Sequence, residues 1–151
     1  MASRRAGFVL LAIVLVTALF VARSYGQHEA IRALTADIRK TYGLPPNGVP
    51  FPIASLGEVI PRGSSPRDVV RRLRPLRERV ASERWVTGKD VIREPFSAHV
   101  IGFSLVSGGV YRIAFVYRNG ALWDIDTPEY LGRTADLPSD SGRAWVRVGA
   151  T

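Results

Sequence analysis

Residues 6–22 (AGFVLLAIVLVTALFVA) form a run of seventeen without a charge, entered by Arg4 and Arg5 and left by Arg23. As a helix rising 1.5 Å per residue the run is roughly 25 Å long, close to the lower limit for crossing a hydrocarbon core of about 30 Å. Residues 1–23 therefore read as a membrane anchor or a signal segment. A cleaved signal has an apolar region of about 7–15 residues and a small-x-small cleavage site. Here the run is longer, Val16-Thr17-Ala18 lies inside it, and Ala22-Arg23-Ser24 carries a bulky cation. The expectation is an uncleaved single-pass anchor in the cell membrane, with secretion after signal cleavage as the alternative and a buried soluble helix as a third. The short tail with Arg4 and Arg5 favours an N-in, C-out orientation by the first-helix tendency of the positive-inside rule.

Residues 24–151 suffice for one core, so a single extracytoplasmic domain is expected. The chain has no cysteine, which excludes disulfides, thiol catalysis, lipid attachment at cysteine and thiolate metal sites. Its formal charge of +8 is carried almost wholly by arginine, Lys40 and Lys89 being the only lysines.

Residues 27–42 show helical periodicity, with Ile31, Leu34, Ile38 and Tyr42 on one face and Glu29, Arg32, Asp37, Arg39 and Lys40 on the polar side. Gly43 and Pro45-Pro46 supply the stop. Residues 44–65 hold Pro45, Pro46, Pro50, Pro52 and Pro61 and read as a proline-rich linker or wrapped loop, since proline disfavours both helix interior and central strand. A second helix should start at Pro66 with Ser65 as N-cap and Asp68 at the positive dipole end. Its buried stripe is Val69, Leu73, Leu76 and Val80, and Pro75 should kink or divide it near Arg74.

The period then changes. Residues 99–106, 110–118 and 121–126 are rich in β-branched and aromatic side chains and are separated by Ser107-Gly108-Gly109 and Asn119-Gly120, so they read as an antiparallel meander. Asn-Gly favours a type I′ hairpin turn, which sets Arg118 opposite Ala121, Val116 opposite Trp123 and Ala114 opposite Ile125. The face with Val110, Ala114, Val116, Trp123 and Ile125 is the expected helix-facing side. The other, with Tyr111, Ile113, Phe115, Tyr117 and Leu122 beside Asp124 and Asp126, is half apolar and needs cover too, for which the proline-rich segment is the candidate. Residues 143–148 (RAWVRV) read as a fourth, edge strand. The fold class is thus α+β: an N-terminal transmembrane helix and amphipathic helices packed on a three- to four-stranded antiparallel meander.

Candidate chemistry is sparse. Asp124 and Asp126 alternate along one strand without further oxygen ligands nearby, so they read as solvated carboxylates or ion pairs. His28 and His99 lack partners at metal-ligand spacing. Ser104 and Ser107 lack a Gly-x-Ser-x-Gly context, and Ser107-Gly108-Gly109 leads into no helix, so it reads as a turn rather than a phosphate cradle. No catalytic residue, metal site or cofactor is expected; an enzyme using Asp124, Asp126 and His99 is the weakest reading. Arg62, Arg67, Arg71, Arg72, Arg74, Arg77, Arg79 and Arg84 form the strongest candidate surface, with Arg67, Arg71 and Arg74 at i, i+4 and i+7 on one ridge. Such a ridge suits anionic headgroups, acidic wall polymers or a carboxylate-rich partner, against the plainer reading of a solvated face tempered by Asp68, Glu78 and Glu83. No nucleic-acid module is visible.

Two stretches resemble known families. Arg4-Arg5-Ala6-Gly7-Phe8-Val9-Leu10-Leu11 resembles the leader of type IV pilins and pseudopilins, in which a basic segment ends in glycine before a phenylalanine that opens an apolar helix. The resemblance covers the first ~40 residues and implies processing after Gly7, a helix continuing past the membrane, and a loop and antiparallel sheet beyond it; Ala12 stands where that family carries glutamate. Residues 63–75 (GSSPRDVVRRLRP) resemble the helical start of SmpA/OmlA-type envelope assembly lipoproteins, whose lipid-modified cysteine this chain lacks. The functional expectation is a membrane-anchored, non-catalytic module for protein or envelope contact, with the arginine ridge and the aromatic sheet face as candidate contacts, and the alternative is a minor pilin-like subunit.

Overall fold

The computed structural model describes residues 2–46, 48–89, 93–129 and 131, with side chains from Val9 onward. One helix, α1 (Ala2–Thr41), runs forty residues, about 60 Å, without a break. Among the described residues it is the one helix long and apolar enough to cross a membrane. The apolar run and the amphipathic segment at 27–42 are two parts of this single helix. Its stop is the expected one: Gly43 adopts φ 65°, its N–H donates to Lys40 O, and Leu44 N–H donates to Arg39 O at 2.8 Å, the paired bonds of a Schellman motif. The buried stripe is Ala30, Leu34 and Ile38 with Thr35 and Arg39 beside it, while Ile31 is only half-buried.

The proline-rich segment corrects the expectation of a loop. Helix α2 (Pro52–Val59) lies within it, because Pro52 occupies the first turn, where its missing N–H is no loss, and the next seven residues contain no proline. Leu56 and Ile60 are fully buried in the main core. Helix α3 (Pro66–Leu73) starts where expected, and Pro75 ends the α-helical ladder, so residues Arg74–Arg79 continue as a 3-10 turn. Val69, Leu73 and Leu76 are buried, but Val80 leaves the helical stripe and opens a strand.

The sheet has four antiparallel strands in sequential order: β1 (Val80–Lys89), β2 (Pro95–Ser104), β3 (Val110–Arg118) and β4 (Ala121–Asp126). Strand β1 was not foreseen: it is an edge strand, most of its side chains are exposed and polar, and it leaves little period-2 signal. β2 begins four residues earlier than read. The strand foreseen at 143–148 lies outside the described residues.

Asn119 and Gly120 have φ 51° and 75°, as a type I′ turn requires, and Arg118 does face Ala121. After one further pair the register departs from the expected one. Tyr117 faces Leu122, but Val116 faces Asp124 and Ala114 faces Asp126, so Trp123 is the extra residue of a bulge. The bulge exposes Trp123, whose ring lies under the Arg118 guanidinium at 3.9 Å.

This shift bears on which sheet face the helices cover. Ile101, Phe103, Ile113, Phe115, Tyr117 and Leu122 pack with Leu34, Ile38, Leu56, Ile60, Val69 and Leu73 in the main core. The helix-facing side is therefore the aromatic one, the reverse of the expectation, because the larger rings fill the space between layers. All three short helical segments and the second half of α1 lie on this side, so the proline-rich segment does not cover the opposite face. There Ala98, Val100, Ala114 and Val116 form a smaller cluster with Phe96 and Leu131. The loop after α2 closes the outer edge of β4, with Gly63 N–H donating to Leu122 O and Leu122 N–H to Ser64 O, each at 2.8 Å.

Candidate functional site

The arginine ridge is built by local rules. Ser65 is in extended backbone, and its hydroxyl oxygen accepts from Asp68 N–H at 3.2 Å while the hydroxyl donates to Asp68 Oδ2 at 2.8 Å. Asp68 in turn accepts from Arg71 Nη2 at 2.7 Å. The Ser65 hydrogen bond, helped by the charges of Arg71 and Arg72, holds the Asp68 carboxyl below its ordinary value against partial desolvation. With Val69 and Leu73 facing the core, Arg67 and Arg71 are left on the solvent side of α3, and Arg74 is exposed at its C-cap.

Two bonds tie this segment to its neighbours. Arg72 Nη1 donates to Val59 O at 3.0 Å, joining α3 to α2, and the Tyr42 hydroxyl donates to Arg72 O at 2.6 Å, joining α3 to the end of α1. Burial pushes the Tyr42 hydroxyl pKa up, against the nearby Arg72 charge. Arg79 forms an ion pair with Asp37 of α1.

The eight arginines are thus not one patch. Arg71, Arg79 and Arg62 take Asp68, Asp37 and Asp124 respectively, and Arg72 is held on a carbonyl. Arg84 belongs to β1 and borders a shallow groove with Ser82, Glu83, Val100 and Arg112, away from the ridge. Arg67, Arg74 and Arg77 are exposed and make no ion pair with another described residue.

A ninth arginine was missed as a structural element. Arg39, placed on the polar face by periodicity, is 4% exposed; its Nε donates to Pro45 O at 2.7 Å and its Nη1 to Ser55 Oγ at 3.1 Å and Glu58 Oε1 at 2.8 Å. It bolts α1, the following loop and α2 together. The sequence signal for it is slight, since its partners lie up to 19 residues away.

His99 also differs from a surface histidine. It is 1% exposed, stacked on Trp85 with ring centroids 4.4 Å apart and planes 4° from parallel, and its Nε2 lies 2.6 Å from Glu83 Oε1. A neutral ring donating from Nε2 leaves Nδ1 a bare acceptor, and Nδ1 and the Tyr117 hydroxyl are buried without hydrogen-bond partners. Desolvation lowers the His99 pKa, with Glu83 opposing, and desolvation raises that of Tyr117. His99 shares a sheet face with Phe115 and Ile125, whereas Asp124 and Asp126 share the opposite face with Val116 and Ala114. The structure does not bring the three together.

Asp124 pairs with Arg62 at 3.0 Å, and Asp126 Oδ1 accepts from Thr127 N–H at 2.7 Å. No group of three or more metal-ligating side chains occurs among the described residues. His28 is exposed on α1, and Ser107 lies in the turn closed by Gly108 N–H on Leu105 O at 3.0 Å. Comparison with protein-family models, curated proteins and solved structures finds no match.

Proposed function

We propose that this chain is a single-pass protein of the cell membrane, with residues 6–22 in the bilayer, N-in and C-out, and a non-catalytic extracytoplasmic domain that presents a surface to an envelope protein or an anionic surface. The observation that carries the proposal is the continuity of α1: the exposed apolar turns and the turns carrying Leu34 and Ile38 of the core belong to one unbroken helix. Such a helix holds the domain at a fixed height and orientation, which serves presentation. Arg67, Arg71 and Arg74 are the candidate contacts; nucleic acid is not an expected partner. The aromatic sheet face, apolar enough to be considered for contact, is occupied by the helices instead.

The absence of native cysteine makes the topology directly testable. Ser107→Cys, in an exposed turn, should react with a membrane-impermeant maleimide in intact cells. Labelling only after lysis would overturn the proposed orientation.

A second reading, a minor pilin-like subunit, is favoured by the same continuity, since α1 leads from the leader-like start directly into the domain with its antiparallel sheet. Intact mass and N-terminal sequencing of the membrane fraction separate the two. A mature chain starting at Phe8 supports the pilin-like subunit, and one retaining Arg4 and Arg5 supports the plain anchor. A soluble chain starting near Arg23 or Tyr25 removes both.

A further inference from the structure

The height of the arginine ridge selects among its partners. This step rests on the proposal that residues 6–22 span the bilayer, because α1 then sets the level of everything packed on it. Asp37, paired with Arg79, lies fourteen residues past Arg23, and Tyr42, bonded to Arg72 O, lies nineteen past it. At 1.5 Å per residue the two levels are about 21 Å and 28 Å beyond the end of the apolar run. A helix tilt of about 40°, the upper end of the usual range, lowers them to about 16 Å and 22 Å. The headgroup layer takes up about 5–7 Å of this on each side, so even the tilted levels stand about 9 Å and 15 Å clear of it, beyond the physiological screening length of about 8 Å.

Arg74 and Arg77 lie on the segment between these two anchor points, so the headgroups of the bilayer that holds α1 are largely screened from them. Arg74 and Arg77 are therefore poorly placed to bind the membrane that holds α1. The chemistry of the ridge is visible within the chain: Arg71 holds the Asp68 carboxylate at 2.7 Å, and Arg79 holds Asp37. Arg67, Arg74 and Arg77 present the same guanidinium forks to solvent without an ion pair to another described residue. Guanidinium matches carboxylate geometrically, two N–H groups to two oxygens.

We propose that α3 and the 3-10 turn after it form a docking surface for a carboxylate-rich segment of a partner protein, which meets the domain beyond the reach of the bilayer and engages Arg67, Arg74 and Arg77.

The test uses the full chain in phosphatidylcholine nanodiscs and a fluorescent polyglutamate peptide as probe. Anisotropy should show saturable binding that weakens with salt and falls about tenfold or more in R67Q/R74Q/R77Q, the scale of losing charge-assisted hydrogen bonds. These side chains are exposed, so circular dichroism should be unchanged. Absence of saturable binding, or binding that the triple variant leaves intact, overturns the inference, as does tighter binding to vesicles containing phosphatidylglycerol than to the peptide at equal charge. Height is read separately by energy transfer from a dye on Glu78→Cys to headgroup acceptors; a level within about one screening length, ~8 Å, overturns the argument. Extraction in alkaline carbonate isolates the underlying proposal: release of the chain removes both, whereas a retained chain that ignores the peptide removes only the carboxylate partner.

Discussion

Val9, Leu15 and Phe20 in the first part of α1 are 60%, 54% and 75% exposed, whereas Leu34 and Ile38 in the second are 2% and 0% exposed, on one unbroken helix. The backbone is the same and the side chains are equally apolar. What differs is the supply of partners. The second part has α2, α3 and the aromatic sheet face to pack against, and each fully buried aliphatic side chain there contributes about 1.5–3 kcal/mol. The first part has no such surface among the described residues, and lipid is its proposed solvent. A helix of uniform geometry can therefore serve as anchor at one end and core at the other, with charge beginning at Arg23 and burial at Ala30.

The two parts should diverge most when charge is put into the proposed anchor. Leu15→Arg with Val16→Arg places two cations near the centre of the apolar run, each disfavoured by about 2.5–3.5 kcal/mol for insertion. The expected outcome is loss of carbonate-resistant membrane association; retention would show that this part of α1 is not what holds the chain. Ile38→Ala should do the converse. It leaves a cavity in the core and should lower unfolding stability by about 2–5 kcal/mol in denaturant titrations, with membrane association unchanged.

Between the two parts lies the joint. Gly26 is helical with open space where a Cβ would stand, so Gly26→Pro tests the backbone rather than packing. Proline removes one ladder hydrogen bond and crowds the carbonyl of Ala22, disfavouring helix there by about 3 kcal/mol. The domain should retain its melting temperature while the dye on Glu78→Cys reports a broader spread of heights. A fall in melting temperature equal to that of Ile38→Ala would mean that anchor and core are not separable.

Features fixed by a few adjacent residues could be read from the sequence. The Ser65-Pro66 start of α3, the Gly43 stop of α1 and the Asn119-Gly120 turn all depend on local backbone preferences. Features that depend on remote partners could not. The bulge at Trp123 redirects β4 after a correctly read turn, and β1 is held by its pairing with β2 rather than by its own pattern. Proline density hid α2, although Pro52 itself is a favourable first residue. The same division applies to the candidate site. Periodicity places Arg67, Arg71 and Arg74 on one ridge, but the pairing of Arg71, the burial of Arg39 and the level of the ridge above Arg23 follow from Asp68, Glu58, Asp37 and Tyr42 in three dimensions.

The smallest expected effect concerns the polar margin of the core that the second part of α1 helps to cover. Glu83 on β1 is the titratable group bonded to the buried His99 ring, and Tyr117 on β3 stacks on the other ring neighbour, Trp85; Phe115 completes the aromatic surround. Burial sets the folded-state pKa of His99 below the ordinary 6.5, so the unfolded chain takes up the proton first as the pH falls. Its contribution to stability is complete above pH about 6.5 and is lost as the pH drops through the lowered folded value, at no more than about 1.4 kcal/mol per pH unit for one proton. With Trp123 and Trp145 replaced by phenylalanine, Trp85 fluorescence reports the region, and the urea midpoint of the full chain in detergent should be lower at pH about 5 than at about 7. His99→Phe should flatten that difference. If the slope persists in His99→Phe, another group carries it; Asp68 is excluded from this window, because its depressed pKa gives the same sign only below its ordinary 3.8.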